Sequence, residues 1–118
     1  MIKSYEDIEA YRRAYKSSLE IHKLSLTFPK HEMQELGGQI RRSTKSIAMN
    51  IAEGYGRRIS SAELKRFILI AIGSCDEVRV QLDYCKDLEY VSTEQHCALK
   101  EEYNEIGKML YGLYKNWK

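Results

Sequence analysis

The sequence predicts an all-α protein, an antiparallel up-down-up-down four-helix bundle. Apolar residues recur at spacings of three and four in four successive segments, as they do in helices that bury one face. The 118 residues include one proline and seven glycines, so few residues interrupt long helices. The segments are separated by short connections, which make consecutive helices antiparallel. We therefore expect one domain over residues 1–118, with helices at about 5–27, 32–53, 61–88 and 93–117.

The first predicted helix begins near Ser4, a suitable N-cap, with Asp7 three residues later. It ends at Phe28-Pro29, because the residue before a proline is disfavoured in the helical region. Its predicted core-facing stripe consists of Ile8, Tyr11, Tyr15, Leu19, His22 and Leu26.

The second predicted helix starts between Lys30 and Gly38 and stops at Glu53-Gly54. Gly54 is expected to adopt the left-handed conformation that commonly ends a helix. The predicted core stripe of this helix consists of Ile40, Thr44, Ile47 and Ile51.

Capping boxes predict the starts of the last two helices. Ser60 with Glu63, and Ser92 with Gln95, have the spacing at which each side chain can bind the other residue's backbone amide. The region 67–72 is apolar nearly all round, which indicates contacts on more than one side. The core stripes are Leu64, Phe67, Ile68, Ala71, Ile72, Cys75, Val78, Leu82 and Cys85, and then Leu99, Tyr103, Ile106, Leu110, Leu113 and Trp117.

The composition predicts a cytoplasmic protein without a membrane segment. Residues 1–7 lack the apolar region of a signal peptide. The longest apolar run, residues 67–72, is far shorter than the ~20 residues of a spanning helix. Cys75, Cys85 and Cys97 form no CxxC pair and are odd in number, so we interpret them as reduced thiols.

The sequence lacks the clusters of titratable residues that catalysis or metal binding requires. His22, His31 and His96 belong to no HExxH or Glu-x-x-His pattern, and no glycine-rich phosphate loop is present. We therefore predict a non-enzymatic protein with no metal and no cofactor.

A stripe of mostly small polar residues follows the second helix about a quarter-turn from its apolar stripe. It is either a solvated face or a seam between helices or subunits, where buried polar groups must find partners. The pair Gly73-Ser74 favours a seam, since a glycine inside a helix costs roughly 1 kcal/mol and close packing would explain it. The predicted structural or oligomer interface consists of Gln39, Ser43, Ser46, Asn50, Glu53, Gly54, Gly73 and Ser74.

Positive charge is concentrated in the first half of the chain. Residues 1–59 carry 11 Lys and Arg against 7 Asp and Glu, whereas residues 60–118 carry 8 against 10. Such an excess is either an ordinary solvated surface or a site that binds phosphates by releasing counterions. Several copies around an axis would multiply it. The candidate nucleic-acid-binding residues are Arg41, Arg42, Lys45, Arg57 and Arg58.

Two segments carry a resemblance to a known family. Residues 39–57, QIRRSTKSIAMNIAEGYGR, resemble the signature QLRRA-x-x-SI-x-x-NIAEG-x-GR of bacterial four-helix bundle proteins encoded in intervening sequences of large-subunit ribosomal RNA genes. Residues 70–78, IAIGSCDEV, resemble that family's second signature, IA-x-GS-x-x-EL. Ala48 and Met49 stand where many relatives have proline, and Lys45 stands where they often have an apolar residue. The resemblance implies an up-down bundle that assembles as a ring-like homopentamer.

A more distant similarity, to the accessory variability protein of diversity-generating retroelements, implies a basic pentamer that binds nucleic acid and a reverse transcriptase. The sequence thus leads to the hypothesis of a non-enzymatic homo-oligomeric scaffold that binds RNA or DNA through a basic surface. The alternative is a protein–protein interaction adaptor without nucleic-acid binding, in which the polar seam and exposed tyrosines contact a protein partner.

Overall fold

The computed structural model describes residues 1–118 and contains helices but no strand. The four long helices form a rod about 45 Å long and 24 by 19 Å across. The predicted all-α four-helix fold is confirmed. After a 3₁₀ turn at Tyr5–Asp7, the helices are α1 (Glu9–Ser25), α2 (Lys30–Met33), α3 (Leu36–Gly56), α4 (Ser61–Asp87) and α5 (Thr93–Asn116).

The long helices are arranged in the order α1, α3, α4, α5 around the bundle, so α1 and α4 lie diagonally opposite. Neighbouring helices run antiparallel, because residues of rising number on one helix meet residues of falling number on the next. Pairs that show this are Gly54 with Leu64, Ser46 with Ser74 and Ser43 with Gln81 across α3 and α4, and Cys75 with Tyr103 and Asp83 with His96 across α4 and α5.

The first two predicted helices differ from the observed ones. Ser4 and Asp7 do form a capping box, but it caps the 3₁₀ turn, and α1 begins only at Glu9. The predicted helix 32–53 is instead the single turn α2 followed by α3, which continues to Gly56. Gly54 therefore lies inside a helix and has a negative φ, so its predicted left-handed cap is wrong.

The last two helices begin at the predicted residues and end one residue earlier than predicted. Ser92 and Gln95 form the predicted capping box, with bonds of 2.8 and 3.0 Å. At the start of α4, the Ser60 hydroxyl accepts from the Glu63 amide at 3.2 Å. The Glu63 carboxylate does not complete that box, because it accepts bonds from two arginines instead.

The predicted core stripes of α3, α4 and α5 are buried over most of their length. The predicted stripe of α1 is only partly right: Ile8 is buried and Tyr11 packs against the core. Tyr15, Leu19 and Leu26 are 51, 46 and 52% exposed. The face that α1 buries also has helical spacing, and its small side chains let the neighbouring helices pack closely. Buried serine hydroxyls bond to carbonyls of their own helix, which offsets the cost of burying them. The buried residues of α1 are Ala10, Ala14, Ser17, Ser18, Ile21 and Ser25.

Two glycines of the predicted interface have different surroundings. A Cβ atom on Gly54 would lie 3.1 Å from the Phe67 Cβ and 3.2 Å from the Leu64 carbonyl oxygen, so α3 and α4 approach each other closely there. A Cβ atom on Gly73 would meet nothing within 4 Å. Close packing within the chain therefore explains Gly54, whereas the same explanation for Gly73 is wrong.

Tyr103 gives a test of the core. Its side chain is fully buried, and its hydroxyl has no hydrogen-bond partner, although the Ser17 hydroxyl is nearby. A buried polar group left unpaired costs about 1–3 kcal/mol. Tyr103→Phe is therefore expected to raise the free energy of unfolding by about 1 kcal/mol, and Tyr103→Ala to lower it by about 4 kcal/mol. Urea denaturation measures both changes, and a Phe variant less stable than the wild type would show that the hydroxyl is bonded.

Candidate interaction surfaces

The five candidate nucleic-acid-binding residues fall into two groups. Arg41, Arg42 and Lys45 lie in the first half of α3, whereas Arg57 and Arg58 follow its C-terminal end. Fifteen residues separate Arg42 from Arg57, which corresponds to about 22 Å along a helix. The structure therefore does not bring the five residues together in one patch.

The three basic residues in the first half of α3 differ in their contacts. The half-buried Arg41 donates to the Ser25 hydroxyl at 2.8 Å and to a backbone carbonyl of α2 at 2.8 Å, so it holds α3 against its neighbours. The exposed Lys45 has its Nζ atom 3.1 Å from a ring nitrogen of His22. Arg42 is exposed and forms no hydrogen bond or ion pair within the chain, so its guanidinium is available to a ligand.

Arg57 lies at the turn between α3 and α4 and is already paired with carboxylates. Its guanidinium lies 2.9 Å from Glu53 and 3.3 Å from Glu63, and 4.8 Å from the centre of the Phe67 ring. Hydrogen bonds from Arg66, and then the positive charges nearby, hold the pKa of Glu63 below its usual range. The Glu63 carboxylate therefore stays ionised near neutral pH, and its ion pair partly neutralises this arginine.

Further basic residues surround Arg58 at the same end of the bundle. The Arg58 guanidinium lies 4.1 Å from the centre of the Tyr55 ring. We call residues 1–12, 53–66 and 111–118 the basic end, since they carry 8 Lys and Arg against 5 Asp and Glu. The opposite end, residues 22–42 and 84–101, carries 6 against 6. The basic end also includes six cations that we did not predict as site residues, namely Lys3, Arg12, Lys65, Arg66, Lys115 and Lys118.

The predicted polar seam lies between α3 and α4 of the same chain. The hydroxyls of Ser46 and Ser74 are 2.9 Å apart, and the Asn50 amide donates to Ser46. The buried Gln81 donates to the Ser43 hydroxyl at 3.1 Å. Most of these groups are paired within one chain, although the buried Oε1 atom of Gln81 has no hydrogen-bond partner.

The ends of the seam reach the surface, where Gln39 and Glu53 are exposed. Near Gln39 the seam opens into a polar cavity of about 230 Å³. The cavity is lined by Gln39, Arg42, Ser43, Ser46, Ser74 and Glu77.

An apolar groove of about 440 Å³ lies on the surface between α1 and α3. It contains part of the stripe that we predicted as core, and Met49 on its α3 side is 64% exposed. The Tyr11 ring is stacked on Tyr15 with a centroid separation of 6.0 Å. We call this surface the α1–α3 groove, lined by Tyr5, Tyr11, Tyr15, Ser18, Leu19, Lys45, Ala48, Met49 and Ala52.

A second exposed apolar surface lies on the outward side of α4. Leu69, Val80 and Tyr84 are 49, 55 and 59% exposed. Their spacing places them on one side of the helix with Gly73 between them. We call these four residues the α4 ridge.

Residues 6–112 match the family described as 23S rRNA-intervening sequence protein. The chain belongs to this family. A solved structure from Bacteroides thetaiotaomicron, described as a protein with unknown function from the S23 ribosomal protein family, is 25% identical with a TM-score of 0.78. The similarity covers 91% of this chain and 96% of that chain. No protein with a curated description matches the chain.

In this intervening-sequence protein, no three His, Cys, Asp or Glu side chains are placed to bind a metal ion. Burial raises the pKa of the Cys75 and Cys85 thiols to about 11, so both are protonated at neutral pH and are poor nucleophiles. Hydrogen bonds from Lys100 and then His96 hold the pKa of Asp83 low, and this cluster joins α4 to α5. No helix combines the length and the hydropathy needed to cross a bilayer.

Proposed function

We propose that this intervening-sequence protein is a non-enzymatic scaffold, a ring of five copies, that binds RNA or DNA weakly through its basic surface. The observation that supports nucleic-acid binding is the basic end, with 8 Lys and Arg against 5 Asp and Glu. Multivalent cations bind a phosphate backbone by releasing its counterions. Repeating one basic end around a ring would raise the avidity without any new contact.

The proposed phosphate contacts differ between the basic residues. Arg58 provides charge at the basic end, and Lys115 lies 5.7 Å from the centre of the exposed Tyr111 ring, on which an unpaired base can stack. Arg42 extends the surface along the outside of α3, and Lys45 adds its charge beside the α1–α3 groove. Arg57 contributes less because Glu53 and Glu63 already bind it. Arg41 contributes its charge while its hydrogen bonds support the fold.

Filter binding of a short single-stranded RNA, and of DNA with the same sequence, tests the nucleic-acid proposal. If one strand contacts four phosphates, its affinity falls about 50-fold between about 50 and 200 mM salt. Reversing two cations, in Arg58→Glu with Lys115→Glu, is expected to weaken binding at least about tenfold and to reduce the salt slope by about 1.4.

The matched control for that experiment is Lys30→Glu with Lys86→Glu, which makes the same charge change at exposed positions of the opposite end. The control pair is expected to retain most of the affinity. Absence of binding at low salt, binding that ignores salt, or equal losses in the two pairs would contradict the basic end as the nucleic-acid site.

The self-assembly part of the proposal is tested by light scattering. A pentamer has five times the 13.8 kDa mass of the chain. A particle of 13.8 kDa at micromolar concentration would contradict the ring and with it the multiplied charge.

A protein-interaction adaptor is the second candidate, favoured by the exposed tyrosines of the α1–α3 groove. Tyr15 is 51% exposed although it is large and largely apolar. Under this function, charge reversal of Arg58 and Lys115 leaves capture of a protein partner intact. Under the nucleic-acid proposal, the same double change weakens the binding of nucleic acid at least about tenfold.

A further inference from the structure

We propose that the α1–α3 groove of one copy receives the α4 ridge of a second copy. This inference rests on the self-assembly proposed above and identifies the two surfaces that form the contact. The partner is thus a second copy of this chain, bound through two different faces.

Both surfaces expose large apolar side chains that the core of a single chain does not use. Leu19 and Met49 of the groove are 46 and 64% exposed, whereas core residues such as Ile47 and Leu110 are fully buried. Grouped exposed apolar residues of this kind are typical of protein–protein interfaces. The groove is concave and the ridge lies along a single helix, so their shapes suit a helix-in-groove contact.

Gly73 supports a close approach to the ridge from outside the chain. It lies in the middle of α4, the longest helix of the protein, where glycine is unfavourable. Nothing within the chain would obstruct a side chain at this position. It lies between Leu69 and Val80 on the outward side of α4. A second helix packed against this position would account for a residue without a side chain.

The charges around the two surfaces are complementary. Lys45 lines the groove, and Arg12 and Lys23 are exposed on the same side of α1 as Leu19, at helical spacing. Asp76, Glu77 and Asp87 are exposed beside the ridge on α4, and Arg66 is exposed at its N-terminal end, so acidic residues are in excess there. Opposite charges at the rim favour this pairing of faces over groove against groove or ridge against ridge.

The positions of the two surfaces favour a closed ring. The groove includes α1, and the ridge lies on α4, diagonally opposite in the bundle. A contact between two different faces is heterologous, and repeating it closes a ring when the rotation between copies is suitable. Each long side of the bundle measures 45 Å by 19 to 24 Å, enough for a standard interface of about 800 Å² per partner.

A mixing experiment tests the pairing with one variant of each surface. Met49→Glu places a negative charge in the groove, and Val80→Glu places a negative charge on the ridge, so the two altered surfaces repel each other in a mixture. Both positions are more than half exposed, so the fold should be retained, which circular dichroism and the Tm confirm. Tyr111→Glu is the charge-matched control, because Tyr111 is 58% exposed and lies outside both surfaces.

Each variant alone is expected to sediment as a 13.8 kDa monomer at concentrations where the wild type is assembled. The midpoint concentration for assembly should rise on the order of a hundredfold, because an unpaired charge is buried. An equimolar mixture should give a complex of two chains and nothing larger, because one intact groove and one intact ridge remain. Gly73→Leu should also prevent assembly, without adding charge, and Tyr111→Glu should assemble normally.

The possible failures have different meanings. A monomeric wild type would overturn both the proposed self-assembly and this contact. An assembled wild type whose mass is unchanged by Met49→Glu or by Val80→Glu would overturn the contact and leave self-assembly standing. Two folded, monomeric variants that form no mixed complex would overturn the pairing of groove with ridge.

Discussion

Replacing Gly54 by leucine is expected to lower the free energy of unfolding by about 3 kcal/mol or more. The first carbon of any side chain there would lie 3.1 Å from the Phe67 Cβ and 3.2 Å from the Leu64 carbonyl oxygen. Neither atom is the end of a flexible side chain, so α3 and α4 must move apart. That movement would also loosen the contacts of the polar seam further along the same pair of helices.

The matched control is Gly112→Ala, inside α5, where an added Cβ would meet nothing within 4 Å. This variant should be up to about 1 kcal/mol more stable than the wild type, because alanine favours helix over glycine. Gly54→Ala should lie between the two, since its gain in helix propensity opposes the crowding. Urea denaturation of the three variants gives the order. A Gly54→Leu variant as stable as the control would contradict the close packing of α3 against α4 at Gly54.

The sequence predicted three of the four core stripes because large apolar residues mark the buried faces of α3, α4 and α5. In α1 the same criterion selected Tyr15 and Leu19, which lie at the surface. The buried face of α1 is instead built around Ala14 and Ser18, whose small size suits close helix packing. Spacing could not separate the two faces, because both repeat with the period of a helix. A surplus of large apolar residues beside a small-residue face is the signal that marks an exposed groove.

The positions of the basic residues in the fold do not follow from their positions in the sequence. Arg42 and Arg57 belong to the same family-like signature over residues 39–57, yet about 22 Å of helix separates them. Conversely, Lys65 and Lys115 are far apart in sequence but share one end of the bundle, because antiparallel helices bring the start of α4 and the end of α5 together. The basic end could therefore be predicted only once the charged residues were assigned to the two ends of an antiparallel bundle.

The contacts of side chains across helices were the least predictable. Glu63 has the spacing of a capping residue, but its carboxylate binds Arg57 and Arg66, because charged partners are available nearby. Gln81 completes the polar seam although it lies outside the stripes considered for α4. The partners of these side chains depend on the distances between helices, which helical periodicity alone does not specify.

Raising the pH from 7 to 10 is expected to lower the free energy of unfolding by about 3 kcal/mol through two thiols alone. Cys75 and Cys85 are fully buried, and burial raises the pKa of each thiol from 9.0 to about 11. Between these values the unfolded chain has lost protons that the folded chain still holds. The stabilisation is therefore complete below pH 9 and is lost as the pH rises toward 11. Each thiol contributes about 1.4 kcal/mol per pH unit in that interval.

The double variant Cys75→Ala with Cys85→Ala isolates this effect from other groups that titrate at high pH. It should be less stable than the wild type at pH 7, because two sulfur atoms leave the core, but its stability should fall less steeply above pH 9. Tyr103→Phe serves as a comparison, since burial also raises the pKa of Tyr103 and its contribution appears only above pH 10. Denaturation curves at several pH values give the slopes. Equal slopes of unfolding free energy against pH for the wild type and the double variant would contradict the burial of the two thiols. Solvent would then reach the core layer in which the Cys75 thiol donates to the Tyr103 carbonyl.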